Sequence, residues 1–100
     1  MRTLTLVDGQ SATGVGSAFE LVPRSPATES VAQIVIADTA TAAVQGSHDG
    51  TNWYDLLSSS SSTGQAVTLP RFVRGNVTAH TAGTVSVFIG LPYAWTANAA

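Results

Sequence analysis

Apolar residues in this chain recur at every second position, and no apolar stripe of 3.6-residue spacing runs for the length of a helix. That alternation belongs to strands that bury one face and wet the other, so the sequence points to paired strands throughout. Leu4 and Leu6 alternate with threonines across Thr3 to Val7, and Ala18 to Val22 repeats the pattern up to Pro23. Val31 to Ala37 reads V-A-Q-I-V-I-A, a β-branched run suited to burial on both faces. Thr41 to Ser47, Trp53 to Leu57, Ala66 to Leu69, Arg71 to Thr78 and Thr84 to Leu91 complete the set. Turn residues separate them at the spacing of a sandwich or barrel. The predicted fold is all-β: one antiparallel β-sandwich or jelly-roll-like domain over residues 1–100, with extended terminal segments. Residues 1–30 are expected to supply a first strand and a loop or arm, 31–91 the sandwich core, and 92–100 a C-terminal tail.

Two hairpins can be registered by asking which pairing gathers apolar residues on one face. In S-H-D-G-T-N-W-Y-D-L, Ser47 to Leu56, a two-residue Asp49-Gly50 turn would set Val44 against Asp55. An odd loop with His48 facing Asn52 instead pairs Val44 with Leu56, Gln45 with Asp55 and Gly46 with Tyr54. This predicts a loop of about three to five residues with Gly50 or Asn52 at positive φ. It also puts Trp53 on the Gln45/Asp55 side, capped by another segment or left for a partner. A second hairpin is expected with His80 facing Thr84 and with Ala79–Val85, Val77–Val87, Gly75–Ile89 and Val73–Leu91 on one face. Its loop, Thr81-Ala82-Gly83, places a glycine at the bend. Ser58 to Gly64 has the composition of a flexible link.

Composition removes several classes of function. Only 10% of residues are charged, against roughly 25% in an average domain. Lysine is absent, and Arg2, Arg24, Arg71 and Arg74 face six acids for a net charge of -2. No basic cluster exists to follow a phosphate backbone, so no nucleic-acid partner is expected. The absence of cysteine removes disulfides, thiolate catalysis and cysteine-ligated metals. The apolar run after Met1 is too short for a secretion signal, and no stretch approaches the roughly 20 apolar residues of a membrane helix. A surface with so little self-repulsion suits a protein that its neighbours cover.

Candidate sites are few. Asp49, Asn52, Trp53 and Tyr54 resemble a sugar-binding edge, in which an aromatic ring stacks on the sugar and amides bond its hydroxyls. The competing reading, a hairpin loop beside a half-buried tryptophan, is favoured. Asp38, Asp49, Asp55, His48 and His80 have no metal-ligand spacing, and no strand-turn-helix elbow frames any serine as a nucleophile. Neither an enzyme nor a cofactor is expected. Thr13-Gly14-Val15-Gly16-Ser17 lacks the third glycine and the helix of a phosphate cradle, and the sequon Asn76-Val77-Thr78 lies mid-strand. Arg71 and Arg74 are expected on opposite faces, with Arg74 lying across Phe88 or pairing with an acid on a neighbour. Candidate partner contacts are Trp53, Tyr54 and Arg74, with Tyr93 and Trp95 in the aromatic tail.

The stretch V-Q-G-S-H-D-G-T-N-W-Y-D-L, the serine-rich loop and L-P-R-F-V-R-G-N-V-T-A-H-T-A-G-T-V-S-V-F-I-G-L together resemble small virion structural proteins of tailed bacteriophages. They are most similar to capsid decoration, or cement, proteins and related head or tail accessory proteins. The resemblance covers Val44 to Leu91 and implies a β-sandwich or jelly roll, often trimeric, that docks on an assembled capsid. The implied partners are the major capsid protein and copies of the chain itself. The implied location is the virion, on the capsid exterior, after synthesis in the bacterial host cytoplasm. A tail or baseplate component is the neighbouring alternative, and a carbohydrate-binding module using Trp53 and Tyr54 the distant one.

Overall fold

The alternation becomes ten strands in the computed structural model, which describes residues 2–22, 29–91 and 95–99. In chain order they are β1 (Arg2–Gln10), β2 (Gly14–Val15), β3 (Phe19–Val22), β4 (Glu29–Ile36), β5 (Thr39–Ser47), β6 (Tyr54–Ser59), β7 (Thr63–Thr68), β8 (Phe72–Ala82), β9 (Val85–Leu91) and β10 (Thr96–Ala99). Their pairing is nested. β5 pairs with β6, β4 with β7, β3 with β8 and β1 with β9, all antiparallel. The chain is therefore one long hairpin with its tip at the loop between Ser47 and Tyr54, rolled so that strands fall into two sheets. Pairing of β4 with β9 and of β5 with β8 closes the roll. The sheet orders are β1-β9-β4-β7 and β10-β3-β8-β5-β6, with β2 also on β8. This winding is a jelly roll.

The core lies between the sheets. Val85, Val87, Ile89 and Leu91 of β9 point inward, and Val73 and Val77 of β8 meet them from the other sheet, all at most 3% exposed. Ala32 and Ile34 of β4, Val44 of β5 and Leu21 of β3 fill the layer between. Full burial of one such valine, leucine or isoleucine stabilises the fold by about 1.5–3 kcal/mol. Ser30, the polar residue of β4 buried among them, donates its hydroxyl to the Gly90 carbonyl.

The expected second hairpin is corrected. β8 and β9 do not pair; each belongs to a different sheet, and the bend at Gly83 carries the chain across the sandwich. Gly83 does supply the turn, with φ 84, and His80 Nε2 lies 2.8 Å from its carbonyl oxygen. The residues expected on one face of a ladder face each other across the core instead. Burial rewards both arrangements equally, and the crossing wins because β9 finds ladder partners in β1 and β4.

The first hairpin keeps two predicted pairs, Gln45–Asp55 and Gly46–Tyr54, but Val44 pairs with Leu57 because a bulge at Leu56 shifts the register. Its loop runs over residues 48–53, longer than expected, and Gly50 takes the positive φ at 75°. The strands expected at Thr3 to Val7 and Ala18 to Val22 form as β1 and β3, but the sheets reach further beyond residues 31–91 than expected: β2 comes from the expected arm and β10 from the expected tail. The serine run is no loose link either. Ser58 and Ser59 belong to β6, and the Ser62 hydroxyl accepts from Ile36 N at 2.9 Å and donates to Ile36 O at 3.3 Å.

Candidate functional site

The hairpin tip is ordered by its own side chains. Ser47, fully buried at the end of β5, accepts bonds from the backbone N–H groups of Asp49 (3.2 Å) and Gly50 (2.9 Å). It donates its hydroxyl proton to the Asp49 carboxylate at 2.8 Å. That carboxylate also accepts from Thr51 N, Asn52 N and Asn52 Nδ2, each at 2.8 Å. Bonds to the Asn52 and Thr51 backbone, then to the Asn52 and Ser47 side chains, hold the Asp49 carboxyl well below the usual carboxylate range. A depressed folded-state pKa stabilises the fold above the unfolded value, about pH 4, and the contribution is lost as pH falls further. The Asp49 carboxyl carbon in an NMR titration should therefore stay in its ionised position through pH 4. A midpoint in the ordinary aspartate range would show that the loop bonds are not formed.

The ordered tip folds back over the outer face of the six-stranded sheet. Gly50 packs against the Phe72 ring, where a Cβ would lie 3.4 Å from Cζ. Trp53 is half-buried beneath Arg74, whose guanidinium carbon lies 4.2 Å from the indole ring centroid. Arg74 Nε donates to Gln45 Oε1 at 2.8 Å, and Gln45 Nε2 donates to Asp55 Oδ1 at 3.1 Å. Trp53 thus lies on the Gln45/Asp55 side, as the register predicted, and its cap comes from β8 of its own chain. Arg74 does not lie across Phe88, because that ring is on the outer face of the other sheet. Arg71 lies 5.2 Å from the Phe72 centroid and pairs with Glu20 of β3 at 2.7 Å. Both guanidinium groups therefore share the outer face, against the expected separation, because Arg71 precedes β8 and its long side chain reaches Glu20 and Phe72.

The expected partner contacts separate. Trp53 and Arg74 cover one another. Tyr54 is 44% exposed and turns to the other side of β6, where the His48 ring lies 6.1 Å away. Trp53 and Tyr54 therefore form no common platform, and a guanidinium occupies one stacking face of Trp53. Trp95 is 2% exposed and part of the core, not the surface. Tyr93 lies outside the described residues. Gly14 and Val15 form β2 beside β8, and Gly16 donates its N–H to Gly75 O at 2.8 Å, so the G-x-G segment joins the six-stranded sheet. Among the described residues, no three His, Asp or Glu side chains converge on a possible metal position.

Periodicity did not single out the outer face of the four-stranded sheet. Val31, at 55% exposure, and Val35, at 38%, stand on β4 beside the half-buried Phe88 of β9. A shallow groove of about 360 Å³ crosses this face, lined by Thr3, Val31, Gln33, Gly64 and Phe88 among others, with no ionisable side chain among the described lining residues. The groove thus differs in chemistry from the outer face of the six-stranded sheet, which carries arginines, aromatics and acids. Compared with known proteins, the chain matches no family model, no curated protein and no solved structure.

Proposed function

We propose that the protein is a non-enzymatic structural component of a tailed-bacteriophage particle, a decoration protein that docks on the capsid exterior and stabilises the lattice. Two things support this reading. The residues that carry the resemblance, Val44 to Leu91, supply β6 to β9 and the end of β5, in an architecture that viral capsid domains use. The observation that carries it is the uncharged groove over Val31 and Phe88. Exposed Val31 and Val35 beside this groove offer apolar surface to a neighbour, and a small domain is stabilised when a neighbour covers it. The partners are the major capsid protein and further copies of the chain, for which the resemblance implies a trimer.

Purified protein added to expanded, undecorated capsids should saturate at a fixed multiple of lattice sites and raise their rupture temperature. Val31→Asp, on the exposed face, should weaken that binding by about tenfold, or about 1.4 kcal/mol, while the melting temperature of the protein itself holds. Capsids that bind nothing, or that rupture unchanged when coated, would sink the proposal. Saturable binding to purified tails instead would move the protein to the tail. The covering of Trp53 by Arg74 disfavours the carbohydrate-binding alternative, whose stacking platform it obstructs.

A further inference from the structure

A sheet edge is a row of unpaired N–H and C=O groups, and proteins guard such rows with charge, proline, bulges or brevity. Among the described residues the edges are β1 and β7 in one sheet and β10 and β6 in the other, with the two-residue β2 a further short edge beside β8. β1 is interrupted by two register shifts and carries Asp8. β6 bulges opposite Val44 and Gln45 and carries Asp55. β10 is four residues long. β7 has none of these devices. Its sequence, T-G-Q-A-V-T, runs in unbroken register along β4 without charge or proline, and Gly64, Gln65 and Ala66 are exposed. Among the described residues, no strand pairs with its free side.

The geometry points to β7 as a self-association edge, at which two copies of this chain pair β7 to β7, antiparallel, across a two-fold axis. The occupant is a strand, because only a strand satisfies a row of backbone groups at ladder spacing. A second copy fits because the edge complements itself. Two-fold pairing sets residues of one face against residues of the same face: Gly64, Ala66 and Thr68 outside, Gln65 and Val67 inside, with no like charges opposed. A partner strand bearing charge would find no countercharge here. The pairing also joins the exposed Val31 faces of both copies across one eight-stranded sheet. Such a contact closes at two copies, so it is distinct from the trimer the resemblance implies. It does not rest on the capsid-decoration reading.

The chain has no cysteine, so single-cysteine variants report contacts without background. Under oxidation, Ala66→Cys should form a covalent dimer in high yield, while Thr5→Cys, on the guarded edge β1 of the same sheet, should remain monomeric. Sedimentation of the unaltered protein should show a concentration-dependent dimer. Ala66→Lys, which brings like charges together at the axis, should raise the dissociation constant about tenfold or more while dilute protein melts unchanged. A monomer at every concentration, equal cross-linking of the two cysteine variants, or a closed trimer indifferent to Ala66→Lys would each overturn the assignment.

Discussion

Replacing Trp95 by alanine should lower the unfolding free energy by about 3–5 kcal/mol, with a fall in melting temperature of about 4–8 °C for each kcal/mol. The residue is 2% exposed and belongs to the same buried cluster as Leu21 and Val73. It stands immediately before β10, the outermost strand of the six-stranded sheet, which among the described residues pairs with the four residues of β3. Four ladder pairs hold a terminal strand weakly, so the buried indole is what anchors β10 against the roll. Alanine leaves a cavity where a large ring was, and β10 loses its anchor with it. Trp95→Phe, which keeps an aromatic ring in the pocket, should lose less. Thermal unfolding followed by circular dichroism distinguishes the outcomes. A Trp95→Ala protein that melts like the unaltered one would return Trp95 to the surface, as the partner contact its place in the tail suggested.

Periodicity in the sequence reports which face of a strand is buried, and it does so faithfully for β9, where Val85, Val87, Ile89 and Leu91 all point inward. It does not report which strand lies alongside. That is why β8 and β9 read as a hairpin: alternating apolar residues match equally well across a ladder and across a core. Turn chemistry was legible at Gly50 and Gly83, both at positive φ. The bulge at Leu56 was not, because Leu56 and Leu57 are equally apolar and nothing local decides which faces Val44. Trp53 could be placed on its correct side, but its cap depends on Arg74, brought there by the long-range pairing of β5 with β8. The tail A-W-T-A-N-A has no alternation to distinguish a buried tryptophan from an exposed one. The bare edge of β7 likewise emerges only from the strand order, since T-G-Q-A-V-T would need no guard in the middle of a sheet.

The crossing of β8 and β9 can be tested at Gly75. In the roll this glycine of β8 meets the other sheet, and a Cβ there would lie 2.5 Å from Val7 Cγ2 and 3.4 Å from the Cβ atoms of Leu6 and Val87. The strand carries glycine at this position because the opposing side chains fill the space a methyl would need. Gly75→Ala should therefore destabilise by about 1–3 kcal/mol, less about 0.5–1 kcal/mol recovered from the reduced backbone freedom of the unfolded chain. Val7 is 4% exposed and cannot swing into solvent. Removing its methyls should make the room: combined with Val7→Ala, the Gly75→Ala change should cost at least about 1 kcal/mol less than it does alone, a coupling typical of residues in contact. A hairpin of β8 with β9 would place Gly75 beside Ile89 and leave Val7 uninvolved. Denaturant unfolding of the two single variants and the double variant decides between these geometries. Additivity within about 0.5 kcal/mol would mean that Val7 and Gly75 do not touch, and the rolled topology, with the β7 edge it leaves bare, would be lost together.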